Sequence, residues 1–216
     1  MSAAGFDATQ AFTMDEEKGY QDDPEDSGNY ASGKIGAGPL VGTNFGISAP
    51  ILSSWLGRPA TREDMLGLSQ DAAKAIFRAI FWDACRADTL PLGLDLMTVD
   101  FGFNAGAPES LALYNRQAAL TLPSLGILSD ATCVKHAQAK LGVDPDGIVG
   151  RLTIGAAVDR GMGDALRIAA LGSMQAAAYR HMRAFSRFGK DWIARTEDRV
   201  VMALSLAYPT KNAAEA

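Results

Sequence analysis

The chain predicts a mainly α fold with one small loop and β-hairpin insert, and three observations carry that prediction. Its 216 residues are 48% hydrophobic and 21% charged, with eight methionines, abundant alanine and few β-branched runs, the balance of an ordinary globular protein. From residue 50 onward apolar residues recur at helical spacing. Residues 20–49 are the exception: glycine, asparagine, aspartate and proline crowd together there, which suits loops and short strands and excludes a long helix. The length allows one substantial domain or two small ones.

Taken in order, residues 7–18 read as a first helix. Asp7 stands as its N-cap, Ala8, Ala11, Phe12 and Met14 give a rough apolar face, and Gly19 supplies the stop. Residues 29–42 read as a glycine-punctuated hairpin or flap that leads into Thr43-Asn44-Phe45-Gly46-Ile47-Ser48. A short helix over 53–56 closes at Gly57, and Thr61-Arg62-Glu63-Asp64 opens another with capping-box spacing, Asp standing in for Glu. Ser69 caps a long core helix to about residue 88, in which Ile76, Phe77, Ile80, Phe81 and Ala84 repeat at helical spacing. A buried helix fills 92–103, and Pro108 begins one to about 120. Ser129 or Asp130 caps a helix to 141, and Asp144-Pro145-Asp146-Gly147 is a turn. A short helix from about 153 and a long one over 163–188 follow; Gly189 marks a break before a last helix over 191–206. Residues 209–216 are expected to form a flexible tail.

Charge and rare residues remove several functions. A net charge of −5 argues against a general nucleic-acid binder. Cys85 and Cys133 lack metal-type spacing and read as buried free thiols, with a single disulfide as the lesser alternative. His136 and His181 lie on separate segments and leave little for a zinc site or a Ser-His-Asp triad. No apolar stretch approaches the roughly 20 residues of a bilayer span. Residues 1–10 have neither the basic nor the apolar region of a conventional secretion signal. Between Arg151 and Arg199 nine Lys or Arg face five acids, a net +4: either a face drawn to an anionic polymer or a set of solvated helix surfaces.

Against this background residues 15–26 stand out, with seven carboxylates and one lysine; the remainder of the chain has 18 acids against 19 bases. The acidity is local. An EF-hand reading from Asp22 fails, because Pro24 falls at the third position and Gly33 at the twelfth. Glycoside hydrolysis fits better, since it needs one protonated carboxyl on the leaving oxygen and an ionised one across the sugar ring. Glu17 falls at the negative end of the first helix beside Phe12 and Met14, which favours the protonated form. Asp26, nine residues on in a polar loop, is the candidate ionised partner, with Asp22, Asp23 and Glu25 as close competitors. Thr43 is placed to hold a water. Tyr20, Asn44 and Phe45 are candidate walls of a sugar site, and Phe45 is equally a candidate core residue. Trp82 is a core residue or a sugar platform, and Asn104 lines a cleft or caps a helix.

These segments resemble a known family. Glu17-Lys18-Gly19-Tyr20, Asp23-Pro24-Glu25-Asp26-Ser27-Gly28 and Thr43-Asn44-Phe45-Gly46-Ile47-Ser48 are similar, in order and type, to the motif series E-G-G-Y, D-P-x-D-x-G-G and T-x-Y/F-G-I of the N-acetylmuramidases of glycoside hydrolase family 108. The similarity extends to Phe77-Arg78-Ala79-Ile80-Phe81-Trp82, to residues 100–106 and 146–153, and to Phe188-Gly189-Lys190-Asp191-Trp192-Ile193-Ala194-Arg195. The resemblance implies a lysozyme-like helical fold, the family's catalytic glutamate on Glu17, and supporting roles for Asp26 and Thr43. It implies a catalytic region over 1–95 and a predicted peptidoglycan-binding region over 96–208 packed on it as one unit. The expected partner is the glycan strand of peptidoglycan, with no cofactor or metal, no nucleic acid and no membrane span. Lys18 replaces the first glycine of E-G-G-Y. Asn29 replaces the second glycine after Asp26, and residues 29–42 stretch the step from Asp26 to Thr43 to 17.

Three functions follow from that reading. A muramidase, either a phage-type endolysin or a host remodeller of the wall, uses both Glu17 and Asp26. A non-hydrolytic peptidoglycan-binding or scaffolding protein needs neither, and a lytic transglycosylase needs only a lone acid. The expected site of action is the cell wall, reached from the cytoplasm by a holin-type or other non-conventional route.

Overall fold

A computed structural model of the chain describes residues 3–15, 19–125 and 130–209. The fold is mainly α, as the composition predicts, and it divides into two compact units. One is Asp7–Ala84; the other is Cys85–Ala216 together with Met1–Phe6. The division falls earlier than the boundary expected at 95.

The first unit is built from the part of α1 (Ala3–Asp15) that begins at Asp7, with α2 (Ala49–Leu56), α3 (Arg62–Leu66) and α4 (Gln70–Phe77). α1 begins before Asp7, so Asp7 lies exposed within the helix and is not its cap. Residues 16–18, including Glu17, lie outside the described residues. α2 ends at Gly57, whose φ of 67° takes the left-handed conformation of a helix C-cap. α3 has the capping box read from its sequence: Asp64 N donates to Thr61 Oγ1, and Thr61 N donates to Asp64 Oδ2. Val41, Ile47, Leu52, Met65 and Ile76 are buried together, and Met14, Tyr20 and Phe45 pack against them.

Two expectations for this unit change. The long helix predicted from Ser69 stays α-helical only to Phe77 and then passes into one turn of π-helix over Arg78–Trp82. Its hydrogen bond from Asp83 N to Arg78 O spans five residues, and Arg78 Nε pairs with Asp83 Oδ1 at 2.9 Å across the same interval. The hairpin predicted over 29–42 reduces to a single antiparallel rung, Tyr30 with Leu40; among the described residues only isolated bridges occur. Gly33, Gly36 and Gly38 take positive φ between those ends, and Pro39 lacks an N–H, so no ladder can propagate.

The second unit contains α5 (Leu94–Ala105), α6 (Ala107–Ala118), α7 (Leu122–Leu125), α8 (Ala131–Leu141), α9 (Arg151–Asp159), α10 (Gly163–Arg180) and α11 (Phe185–Ala207). α10 is the centre, buried without a break from Ile168 to Ala176, because alanine, leucine, isoleucine and methionine occupy every side of it. A Cβ on Gly172 would lie 2.5 Å from Val200 Cγ2, which marks the close approach of α10 and α11. Asp130 caps α8 by accepting from Cys133 N at 3.0 Å. The turn at 144–147 is held by Gln138, which donates to Asp146 Oδ1 at 2.7 Å and accepts from Gly147 N at 2.8 Å.

Gly189 is not a break. It lies buried inside α11, and a Cβ there would come within 2.6 Å of the Phe185 ring. The glycine leaves room for that ring against the helix surface, and the chain turns instead at 181–184. The segments 100–106 and 188–195 are largely structural. Trp192 stacks on Tyr179 at 5.0 Å, Tyr179 meets Phe101 edge-on at 5.0 Å, and Arg195 pairs with buried Asp100. The basic run over 151–199 is therefore not one solvated face, since Arg199 is fully buried on the same Asp100. Cys85 and Cys133 are free and buried, as read. No helix among the described residues is long and apolar enough to cross a membrane.

Candidate active site

The loop after α1 sorts its carboxylates by their partners. Asp22 is held by Arg62 at 2.8 Å and by the Tyr20 hydroxyl at 3.4 Å. Asp23 Oδ1 accepts from Glu25 N at 2.9 Å, a local turn contact that shapes the loop. Asp26 caps the short 3₁₀ turn Ser27–Asn29, its Oδ1 accepting from Gly28 N at 2.8 Å. Its Oδ2 lies 3.4 Å from the Gln21 side-chain amide, and the residue is exposed. Asp26 is thus fixed in position and open to solvent.

Thr43 returns to this loop across the insert. Gln21 and Thr43 exchange backbone hydrogen bonds at 2.9 and 2.8 Å. The Thr43 hydroxyl donates to Asn29 Oδ1 at 2.7 Å, and only 7% of the residue is exposed. Asn29 Nδ2 donates to Gln21 Oε1 at 2.7 Å and to Asp23 O at 2.9 Å, while its carbonyl accepts from both Val41 N and Gly42 N. Gln21 and Asn29 therefore join Asp26 to Thr43, although sequence reasoning singled out neither as a site residue. A signal existed for Asn29, because it stands where the family pattern has glycine, and its amide supplies the contacts a glycine lacks.

Gly42 makes the closure possible. Its φ is 95°, and a Cβ there would lie 2.5 Å from the Tyr20 ring and 2.7 Å from Gln21 O. The Tyr20 hydroxyl donates to Val41 O at 3.1 Å, and the Arg62 guanidinium lies 5.5 Å from its ring centre. Burial, with the Asp22 charge second, pushes the Tyr20 hydroxyl above its ordinary range; Arg62 opposes the shift. One edge and one face of Tyr20 thus serve the loop itself.

The remaining candidates separate. Asn44 is buried and donates its amide to Met65 O at 3.0 Å, so its polar group faces inward. Phe45 takes φ 48°, an uncommon conformation for a bulky residue, and lines a cavity of about 320 Å³. Asp7, Gln10, Ala11 and Met14 of α1 and Gln70 and Lys74 of α4 form the other walls. The cavity thus sets one aromatic ring among amide and charged side chains, apolar contact beside hydrogen-bonding groups. Trp82 is 1% exposed, so it is a core residue and not a platform: the π turn carries it inward, and Arg78 covers it at 5.7 Å. Asn104 belongs to the second unit, exposed in the last turn of α5.

Comparison with known proteins agrees with this architecture. Residues 10–106 match the family described as Glycosyl hydrolase 108. The solved structure of SagA from Brucella abortus is similar over 99% of this chain and 99% of that one, at 27% identity and a TM-score of 0.61. No curated protein sequence matches. The match to the glycosyl hydrolase 108 family model thus covers residues 10–106, the part of the chain that holds the loop from Tyr20 to Thr43.

Proposed function

We propose that this protein is an N-acetylmuramidase, which hydrolyses the β-1,4 bond between N-acetylmuramic acid and N-acetylglucosamine in peptidoglycan. The family match over residues 10–106 supports a glycoside hydrolase acting on a glycan. The observation that carries the finer reading is the Gln21 and Asn29 bridge, which gathers Asp26 and Thr43 into the loop that follows Glu17 in sequence.

In this mechanism Glu17 gives its proton to the glycosidic oxygen as the bond from the anomeric carbon breaks. Asp26, the ionised carboxylate across the ring, takes a proton from a water beside Thr43 as that water's oxygen bonds to the anomeric carbon, and both carboxyl groups return to their starting protonation through solvent. Phe45 and the amides of Gln10 and Gln70 contact the sugars in the cavity between α1 and α4. The protein works at the cell wall.

Mass spectrometry of digested peptidoglycan tests the reading. Reducing N-acetylmuramic ends are expected. Anhydro ends indicate transglycosylation, and an absence of products indicates binding without hydrolysis. Glu17→Gln is expected to lose about 10²- to 10⁴-fold in rate; full activity in that variant would overturn the assignment.

A further inference from the structure

The hydrogen bonds of the loop after α1 have a fixed direction, and that direction decides how Thr43 meets a reacting group. Backbone groups set it, because an N–H only donates and a carbonyl only accepts. Asp23 N donates to Gln21 Oε1 at 2.9 Å, so the other end of that amide, Nε2, faces Asp26. Asn29 meets two acceptors, Gln21 Oε1 at 2.7 Å and Asp23 O at 2.9 Å, and its Nδ2 must point at them. Its Oδ1 is thereby turned to Thr43, 2.7 Å from the hydroxyl, and Asn29 is fully buried. An amide oxygen has no proton to give, so the hydroxyl spends its single proton on Asn29. Toward any other group Thr43 Oγ1 is an acceptor only. Asp26, as a carboxylate, also only accepts.

Two acceptors suit a nucleophile that carries two protons. Water gives one to Thr43 and the other to Asp26, which turns a lone pair of its oxygen to the anomeric carbon. An alcohol has one proton and leaves one acceptor without a donor. We propose that Asn29 makes this site selective for water over alcohols. It is a positioning residue, touching neither sugar nor nucleophile and acting through the Thr43 hydroxyl. The inference rests on the muramidase reading. The same bonds change with either nucleophile: its O–H proton passes to Asp26 as its oxygen bonds to the anomeric carbon, and the glycosidic oxygen leaves with the proton of Glu17.

Digestion of peptidoglycan in water–methanol mixtures tests it, with reducing N-acetylmuramic ends and their methyl glycosides counted by mass spectrometry. The ratio of the two products does not depend on how much enzyme is folded, so a purely structural role for Asn29 leaves it unmoved. Wild type is expected to form methyl glycoside well below the molar share of methanol. Asn29→Leu is close in size but has no acceptor, which frees the Thr43 proton for a methanol oxygen. It is expected to raise the methyl share about fivefold, the weight of one neutral hydrogen bond. Thr43→Val removes the unmatched acceptor itself and is expected to act in the same direction; it decides alone if Asn29→Leu does not fold. A wild-type methyl share equal to that of methanol, an unchanged ratio in either folded variant, or loss of both products from both folded variants would overturn the proposal. Failure of the muramidase reading appears separately, as a wild-type digest in plain water without reducing ends, and takes the inference with it.

Discussion

Arg199 places its Nε 2.6 Å from Asp100 Oδ2, and both side chains are fully shielded from solvent. Arg195 adds contacts to the same carboxylate at 2.7 and 3.2 Å. Arg199 also donates to Gln175 Oε1 at 2.7 Å, and Gln175 donates to Met97 O at 2.7 Å. One network thus ties α5, α10 and α11. Burial alone pushes the Asp100 carboxyl up, but the Arg199 charge and then Arg195 outweigh it and hold the group below the usual carboxylate range.

Breaking that pair is expected to be severe, because a lone charge remains in the interior. Asp100→Asn and Arg199→Met should each cost about 3–5 kcal/mol in urea unfolding. The Asp100→Asn/Arg199→Met double variant should lose less than the two single changes summed, since Arg195, 17% exposed, can reach water. A depressed folded pKa means that this stabilisation is complete above the unfolded value near ~3.9 and is lost only as pH falls through the lower folded value. Stability from the network should therefore hold constant from neutrality to about pH 4. Asp100→Asn should flatten the acid limb below that point.

Thr43 tests whether its hydroxyl serves the loop, the chemistry or both. Thr43→Val keeps the shape but leaves buried Asn29 Oδ1 without its donor, and should cost about 1–3 kcal/mol. Thr43→Ser should restore both stability and peptidoglycan turnover. If valine lowers stability without lowering kcat, the hydroxyl is purely structural.

Gly42→Ala should be harmful beyond its size. The new methyl group meets the Tyr20 ring and the Gln21 carbonyl, and the backbone must hold a positive φ. A loss of about 1–3 kcal/mol is expected, with a larger fall in activity than in helix content, because the Gln21–Thr43 pairing opens first. Circular dichroism alongside a turnover assay separates the two effects.

The thiols should be silent in the folded protein. Burial pushes Cys85 up to about 11 and Cys133 to about 12. A disulfide-exchange reagent at pH 8 should label neither in native protein and both in denaturant. Rapid native labelling at Cys133 would show that α8 opens locally.

Legibility in the sequence followed the range of each interaction. Thr61 with Asp64, Asp130 with Cys133, and Gly57 are contacts within a turn, so their spacing alone announced them. Asp100 with Arg199 spans 99 residues, and an apolar run conceals the acid; no local pattern reports it. At Gly189 backbone preference favours a helix stop, but packing of the Phe185 ring overrides the preference. In the site, residue type identified Asp26 and Thr43 as candidates. The groups that join them, Gln21 and Asn29, are neutral amides whose importance lies in geometry. Trp82 followed the helical register into the core, where its size is best buried.

Asn29 has a practical consequence. Its backbone carbonyl accepts from both Val41 N and Gly42 N, so the excursion from Tyr30 to Leu40 leaves and rejoins the fold at one anchored point. Residues 32–39 are exposed throughout. Lengthening a loop whose ends are already pinned adds only about 0.6 kcal/mol of closure entropy per doubling. The tip around Gly36 is therefore a port for a genetically encoded tag or a surface tether, set beside the acidic loop yet outside its hydrogen bonding.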